Sequence, residues 1–216
     1  MKSSRPYLQV LVVVAALCVA GCDAGPNGIL MEDGFSDPDS GWGTDSYPAF
    51  DRGYQDGKYF FGLYESNWMA WTEAGGRLDD VVIDVEAQQA SGAGDGHYGV
   101  LCRYAGPGEF YYFAVTGDGY YAILRIMDGD PQVLTGRGFV ESEYVATGGQ
   151  INRIRAVCQG DQLSLSINQQ QVANVVDDSL RSGSVGLAAG TGPSGSLRVL
   201  FDNLVVASPG REGVEE

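Results

Sequence analysis

The sequence predicts an all-β domain built as a two-sheet antiparallel β-sandwich. About a dozen short runs of apolar and aromatic residues are separated by Gly-containing turns at the spacing of hairpins. The chain has 32 Gly and 12 Tyr among its 216 residues, and few stretches repeat with helical periodicity. Because a sheet with one apolar face needs a second layer to cover it, we expect the strands to form two packed sheets.

The N-terminal half supplies the first strands and the predicted centre of a sheet. The segment from His97 to Met127 consists of three apolar and aromatic runs joined by Gly-rich turns, which is typical of adjacent strands. Residues 81–88 alternate between apolar and polar side chains, as a half-buried strand does. Earlier strands are predicted at 29–35, at 59–65 and at 68–73, with a tight connection at Ser66-Asn67 between the last two.

The C-terminal half continues the same pattern. A short strand is predicted at 131–134, followed by a polar loop from 135 to 150. Further strands are predicted at 152–158, 162–167, 171–176, 184–189 and 197–207, with one helical turn at 177–182.

The first 21 residues have the features of an export signal. Lys2 and Arg5 precede an apolar run, Leu8 to Val19, which is too short to span a bilayer of ~30 Å as a helix. The end of this segment, Val19-Ala20-Gly21-Cys22, resembles the lipobox of bacterial lipoproteins. That resemblance implies cleavage before Cys22 and lipidation of its thiol, which would anchor the domain to a membrane. The alternative is an ordinary secretory signal with a chance Cys at the cleavage site.

These features predict a division of the chain and a location. Residues 1–21 are the signal, 22–28 a tether, 29–207 the β-sandwich domain and 208–216 a disordered acidic tail. The expected place is the cell envelope, at the outer face of the cytoplasmic membrane or in the periplasm or cell exterior. A formal net charge of −15 argues against nucleic acid as a partner, because like charges repel. We expect a monomer.

Several motifs occur in an order that resembles a concanavalin A-like jelly roll. They are Gly-Val-Leu-Cys-Arg-Tyr (99–104), Phe-Tyr-Tyr-Phe (110–113), Gly-Tyr-Tyr (119–121), Asn-Arg-Ile-Arg-Ala (152–156), Gly-Ser-Val-Gly-Leu (183–187) and Phe-Asp-Asn-Leu (201–204). The most similar groups are the 3-keto-disaccharide hydrolase (DUF1080-type) domains and the laminin-G-like and glucanase-like sandwiches. The resemblance spans about residues 30–206 and implies the fold more than the function, because lectins, hydrolases and inert spacers share this fold.

Cys102 and Cys158 are expected to form a disulfide. Cys18 lies in the signal and Cys22 carries the lipid, so these two thiols remain, and both lie inside predicted strands of an exported domain. Such a bond would stabilise the fold by roughly 4 to 5 kcal/mol in the chain-entropy model. Two buried free thiols are the alternative. Metal binding by these Cys is disfavoured, because the chain has no neighbouring Cys and only one His, His97.

An aromatic platform for carbohydrate is the leading candidate site. Sugar faces stack on Trp and Tyr rings while polar side chains bind the hydroxyl groups. If Cys102 points into the core, strand alternation places Arg103 on the opposite, ligand-facing surface. The other candidates are Tyr112, Tyr120 and Trp68; Trp68 and Trp71 are three residues apart, so at most one of these two Trp lines the groove. The alternative is that the aromatic residues fill the space between the sheets.

A structural Ca²⁺ is a second candidate, and no other cofactor is expected. The resemblance to glucanase-like sandwiches implies a cation bound by an Asp of the final strand, which matches Asp202. Glu32 or Asp33 on the first strand would complete the site, because the first and last strands lie side by side in such folds. The alternative is that Asp202 caps a turn.

Catalysis has the weakest support. The Glu-x-Asp-x-Glu type of motif of retaining glucanases is absent, and Glu141-Ser142-Glu143 lacks the central Asp. The sequence therefore favours a lipid-anchored, non-catalytic binding module, with carbohydrate as its ligand. An enzyme of the 3-keto-disaccharide hydrolase type and a structural or protein-binding lipoprotein are the alternatives.

Overall fold

The protein is described by a computed structural model that covers residues 28–210, where it contains sixteen β-strands and no helix. Between these two residues there is accordingly no helix that could cross a membrane. The predicted signal, the lipidation site and most of the predicted tail lie outside the described residues. The strands are β1 (Gly28–Asp33), β2 (Asp45–Ser46), β3 (Phe50–Gln55), β4 (Lys58–Leu63), β5 (Met69–Leu78), β6 (Val81–Gly92), β7 (His97–Gly106), β8 (Glu109–Thr116), β9 (Tyr120–Met127), β10 (Asp130–Val133), β11 (Val140–Glu141), β12 (Ile151–Gln159), β13 (Gln162–Ile167), β14 (Gln170–Val176), β15 (Gly183–Gly190) and β16 (Leu197–Ser208).

The strands form two antiparallel sheets, which confirms the predicted jelly-roll sandwich. The larger sheet has the order β14-β13-β12-β6-β16-β4-β3-β2, and β1 pairs with β16. The smaller sheet has the order β10-β9-β8-β7-β15-β5, and β11 pairs with β9. The first and last strands lie side by side as expected, with Asp33 opposite Leu204.

One hydrophobic core fills the space between the sheets. Alternate residues of each strand face it, as the pleat requires. On β7 these are Tyr98, Val100 and Cys102, and on β12 they include Ile154 and Cys158. The predicted disulfide is present between Cys102 and Cys158.

Two local predictions are wrong, and one hairpin was missed. Ser66-Asn67 does not close a hairpin, because β4 pairs with β3 and β16 in the larger sheet while β5 pairs with β15 in the smaller one. The connection instead carries the chain from one sheet to the other. The predicted helical turn at 177–182 is irregular backbone. The hairpin of β3 and β4 was not predicted, although its turn is Asp56-Gly57, with φ of 52° and 73°, which is a common hairpin signal.

Candidate functional site: an aromatic face on the smaller sheet

A second apolar cluster lies on the outer face of the smaller sheet, on the side away from the core. We call it the aromatic face. An apolar cluster in this place does not join the two sheets, and only its partly exposed members are open to a ligand. Its buried members are Leu101, Phe110, Tyr112, Ala114, Ile126 and Ala188, and its partly exposed members are Met69, Trp71, Tyr104, Leu124 and Phe139.

At one end of this face, strand β15 forms a shallow depression, which we call the floor. Val185, Leu187 and Ala189 point into the core, so the outward positions of β15 are occupied by the small residues between them, Gly186 and Ala188. Gly186 has no room for a side chain, because a Cβ there would lie 2.3 Å from the carbonyl oxygen of Thr72. Large side chains from the neighbouring strands therefore rise on both sides of β15.

Three aromatic rings border this floor. Trp71 on β5 and Tyr104 on β7 stand on opposite sides of β15, and the indole Nε1 donates a hydrogen bond of 3.1 Å to the Tyr104 hydroxyl. Phe110 lies behind both, with ring centroids 5.6 Å from Tyr104 and 6.1 Å from Trp71. Phe110 is buried, whereas Trp71 and Tyr104 are partly exposed. The contacts fix two accessible rings in one orientation.

The expectation that Arg103 faces a ligand is wrong. Arg103 has a φ of 51°, and the pairing of β7 with both neighbouring strands shifts register at this point. The bulge interrupts the alternation of side chains, so Tyr104 takes the outward place. Arg103 is 1 % exposed and donates hydrogen bonds to the carbonyl oxygens of Asp79 (3.1 Å) and Leu180 (2.8 Å), with an ion pair to Asp80 (3.2 Å). Its role is to hold two loops.

A cleft of about 340 Å³ opens beside Trp71 and Tyr104 at the edge of β5. Arg52 of β3 reaches into it, where its guanidinium donates to the carbonyl oxygen of Trp71 and pairs with Asp45. Glu73, which is exposed, accepts a hydrogen bond from the Ser184 hydroxyl. The Gly41–Gly43 segment also lines the cleft. The cleft thus places a cation and a carboxylate next to the two rings.

The other end of the aromatic face contains a His–Tyr pair, in which Tyr112 is buried and His97 is partly buried. His97 Nδ1 and the Tyr112 hydroxyl are 3.0 Å apart, and the ring of Phe139 lies 6.0 Å from the imidazole. Burial lowers the pKa of His97 to about 4 and raises the pKa of Tyr112 well above 10, so both side chains are neutral at pH 7. Tyr112 belongs to the aromatic face, but its side chain is only 1 % exposed and its hydroxyl contacts His97. The expectation that Tyr112 contacts a ligand is therefore wrong.

The remaining predicted ligand-binding residues lie at the margins of this face. Tyr120 is partly exposed, and it points outward because its neighbour Tyr121 belongs to the core. Trp68 precedes β5 at the rim and is 42 % exposed; its backbone N–H donates to the Thr191 hydroxyl, and its carbonyl oxygen accepts from the backbone N–H of Thr191. Neither residue belongs to the aromatic cluster.

The two predicted Ca²⁺ ligands have protein partners. Asp202 forms an ion pair with Lys58, and Asp33 accepts hydrogen bonds from the backbone N–H of Phe35 (2.6 Å) and from Trp42 Nε1 (2.8 Å). Within residues 28–210 no three acidic, His or Cys side chains converge as a metal site would require. Asp202 therefore has the ammonium group of Lys58 as its cationic partner in this structure.

Sequence reasoning missed Tyr104 and Arg52. Unbroken alternation on β7 would place Tyr104 on the same side as Cys102, and the bulge at Arg103 reverses this. Arg52 lies on a strand that was not predicted. Of the pair Trp68 and Trp71, it is Trp71 that lines the cleft and belongs to the aromatic cluster, whereas the predicted Trp68 belongs to neither.

Comparison with known proteins identifies the fold. No protein-family model matches the chain, and no curated protein matches it in sequence. Among solved structures, a protein of unknown function with a galectin-like fold from Bacillus subtilis superposes with a TM-score of 0.62 at 9% identity, covering 85% of this chain and 97% of that one. The carbohydrate-binding module CBM66 from Bacillus subtilis superposes with a TM-score of 0.55 at 14% identity, covering 77% of this chain and 91% of that one. The GH43 BlXynB protein from Bacillus licheniformis superposes with a TM-score of 0.57 at 12% identity, covering 82% of this chain and 39% of that one.

Proposed function

We propose that this domain is a non-catalytic carbohydrate-binding module whose binding site is the aromatic face. The observation that carries the proposal is the pair of partly exposed rings, Trp71 and Tyr104, held by a mutual hydrogen bond beside the cleft that contains Arg52 and Glu73. The apolar C–H face of a sugar ring stacks on such aromatic surfaces. The flanking guanidinium and carboxylate can bind its hydroxyl groups.

Preorganisation supports this function. Trp71 and Tyr104 are fixed by each other and by Phe110, and Arg52 is fixed by Asp45 and by the carbonyl oxygen of Trp71. A site whose side chains are already ordered loses little conformational entropy when it binds a ligand. The likeness to a carbohydrate-binding module and to a GH43 protein agrees with this proposal.

A binding screen tests the proposal. The purified protein is applied to a glycan array and to insoluble polysaccharides, and the affinity for any ligand found is measured by calorimetry. We expect Trp71→Ala and Tyr104→Ala each to weaken binding about tenfold or more, since each removes a stacking surface and frees the partner ring. Trp68→Ala is the matched control, because this exposed Trp lies outside the cluster. An absence of binding to every glycan, or affinity unchanged in both ring variants, would contradict the proposal.

We propose further that the domain is attached to the cell envelope by a lipid on Cys22. The supporting observation is the Val19-Ala20-Gly21-Cys22 sequence after an apolar run, in a segment outside the described residues. Full-length protein expressed in a bacterial host should incorporate labelled palmitate and fractionate with membranes. The Cys22→Ser variant should lose both properties. Label incorporation that persists in this variant would contradict the assignment.

A further inference from the structure

The outer face of the larger sheet contains a second, larger cleft, on the side of the sandwich opposite the aromatic face. It has a volume of about 920 Å³, within the range of ligand-binding clefts. Strands β6, β12, β13 and β14 form its floor, and Gln169 and the Pro209-Gly210 segment border it. We call it the polar cleft. Its main lining side chains are Asp84, Glu86, Arg153, Arg155, Ser164 and Ser166.

The charges at the centre of the polar cleft cancel. Arg155 pairs with Asp84 at 2.9 Å, and Arg153 pairs with Glu86 at 2.9 Å, each pair joining β12 to β6. Burial raises the pKa of Asp84, and the Arg155 guanidinium opposes that rise. Two cations and two carboxylates leave no net charge to attract an ion. The chemistry of these four side chains therefore favours an uncharged ligand that both donates and accepts hydrogen bonds.

The register of the strands gives the cleft its depth. Arg155 of β12 lies opposite Ser166 of β13, and Ser166 lies opposite Gln171 of β14. The short side chain of Ser166 thus lies between the long side chains of Arg155 and Gln171, which leaves a trough along β13. Leu163, Leu165 and Ile167 of the same strand point into the core, so the serines between them point outward. Hydroxyl, amide and guanidinium groups then line the trough together.

We infer that the polar cleft is a second binding site, for a neutral polyhydroxylated ligand such as a segment of a sugar chain. Ligand binding here uses hydrogen bonds and no aromatic stacking. The site lies on the opposite sheet from Trp71 and Tyr104, so it stands whether or not the aromatic face binds carbohydrate. With both sites filled, one domain would bridge two sugar chains.

Amide chemical shifts of the isotope-labelled protein test this inference directly. Maltose, cellobiose, xylobiose and glycerol are titrated as neutral probes, and NaCl and sodium acetate are titrated as charged references. We expect at least one neutral disaccharide to shift the amides of Ser164, Ser166 and Gln171 with a dissociation constant in the millimolar range. Glycerol is expected to act more weakly, because it offers fewer hydroxyl groups. If no neutral disaccharide shifts these amides, or if acetate shifts them equally, the inference is wrong.

Paired variants separate the polar cleft from the aromatic face. Ser166→Leu should weaken the shifts about tenfold by filling the trough, whereas Gln162→Leu should not, because Gln162 is an outward residue of the same strand outside the cleft. Gln171→Ala provides a second cleft variant on the exposed edge strand. Trp71→Ala should leave the cleft shifts unchanged. Equal weakening by Ser166→Leu and Gln162→Leu would overturn the inference; loss of the shifts in Trp71→Ala would assign them to the aromatic face instead.

Discussion

Cys102 on β7 and Cys158 on β12 are joined by a disulfide that crosses the core from the smaller sheet to the larger one. Their Cα atoms are 6.9 Å apart, the residues are separated by 56 positions, and both side chains are fully buried. On β7 the neighbouring residue Leu101 belongs to the aromatic face, and on β12 Arg155 lines the polar cleft. The bond therefore ties together the two strands that support the two proposed sites.

Replacement of both Cys by Ala should lower the free energy of unfolding by about 4 kcal/mol, because the crosslink restricts the unfolded chain. Urea denaturation followed by fluorescence gives this quantity. Wild-type protein under reducing conditions is the control and should shift in the same direction. An unchanged denaturation midpoint in the double variant would show that the bond contributes nothing to stability.

The disulfide could be predicted from the sequence, whereas the orientation of Arg103 could not. The pairing follows from the count of Cys and from the predicted export signal, neither of which depends on local geometry. The position of Arg103 depends on a bulge, and the positive φ at this residue has no signature in the Cys-Arg-Tyr sequence. A shift of one position reverses which side chains face the core, so Arg103 and Tyr104 exchanged their expected places.

Arg103→Ala should destabilise the fold and not act on ligand binding alone. The substitution removes the donors to the buried carbonyl oxygens of Asp79 and Leu180 and leaves a cavity, for a cost of about 3 kcal/mol. Arg181→Ala is the matched control: Arg181 forms an exposed pair with Asp178, whose loss should cost about 0.5 kcal/mol or less. Thermal unfolding compares the two variants. Wild-type stability in Arg103→Ala, with binding lost, would restore Arg103 as a ligand-binding residue.

The sequence predicted an aromatic surface on the sandwich but identified only some of the residues that form it. Tyr111 and Tyr121 belong to the core, so Tyr112 and Tyr120 lie on the opposite side of the sheet, where a ligand-facing position requires them. Exposure could not be deduced in this way, because it depends on side chains distant in sequence. Phe139 arrives from the loop before β11 and packs against His97, which lies against Tyr112.

Added Ca²⁺ should leave the melting temperature of the wild-type protein unchanged, because Lys58 already provides a cation for Asp202. Calorimetric scans with Ca²⁺ and with a chelator measure this. Lys58→Met removes the competing ammonium group and is the informative variant, with Asp202→Asn as its control. A rise of melting temperature with Ca²⁺ in the wild type that disappears in Asp202→Asn would establish the calcium site expected from the sequence.

His97 should make the protein less stable in mild acid. Burial lowers its pKa to about 4 in the folded state, while in the unfolded chain its pKa stays near 6.5. Below about pH 6.5 the unfolded state therefore binds a proton that the folded state does not, and stability falls with pH until the folded-state pKa is reached. Between pH 7 and about pH 5 this linkage removes about 2 kcal/mol.

The variant His97→Phe separates this effect from the titration of carboxylates. It keeps a ring between Phe139 and Tyr112 but has no proton to bind, so the fall in unfolding free energy from pH 7 to about pH 5 should be about 2 kcal/mol smaller than in the wild type. The loss of the contact with the Tyr112 hydroxyl lowers stability at every pH in this range, because the Tyr112 pKa lies well above it, and so does not alter the slope. Denaturation curves at several pH values measure the slope. Equal slopes in the two proteins would mean that His97 takes up its proton without opening the fold, and that the imidazole is open to water in the folded state.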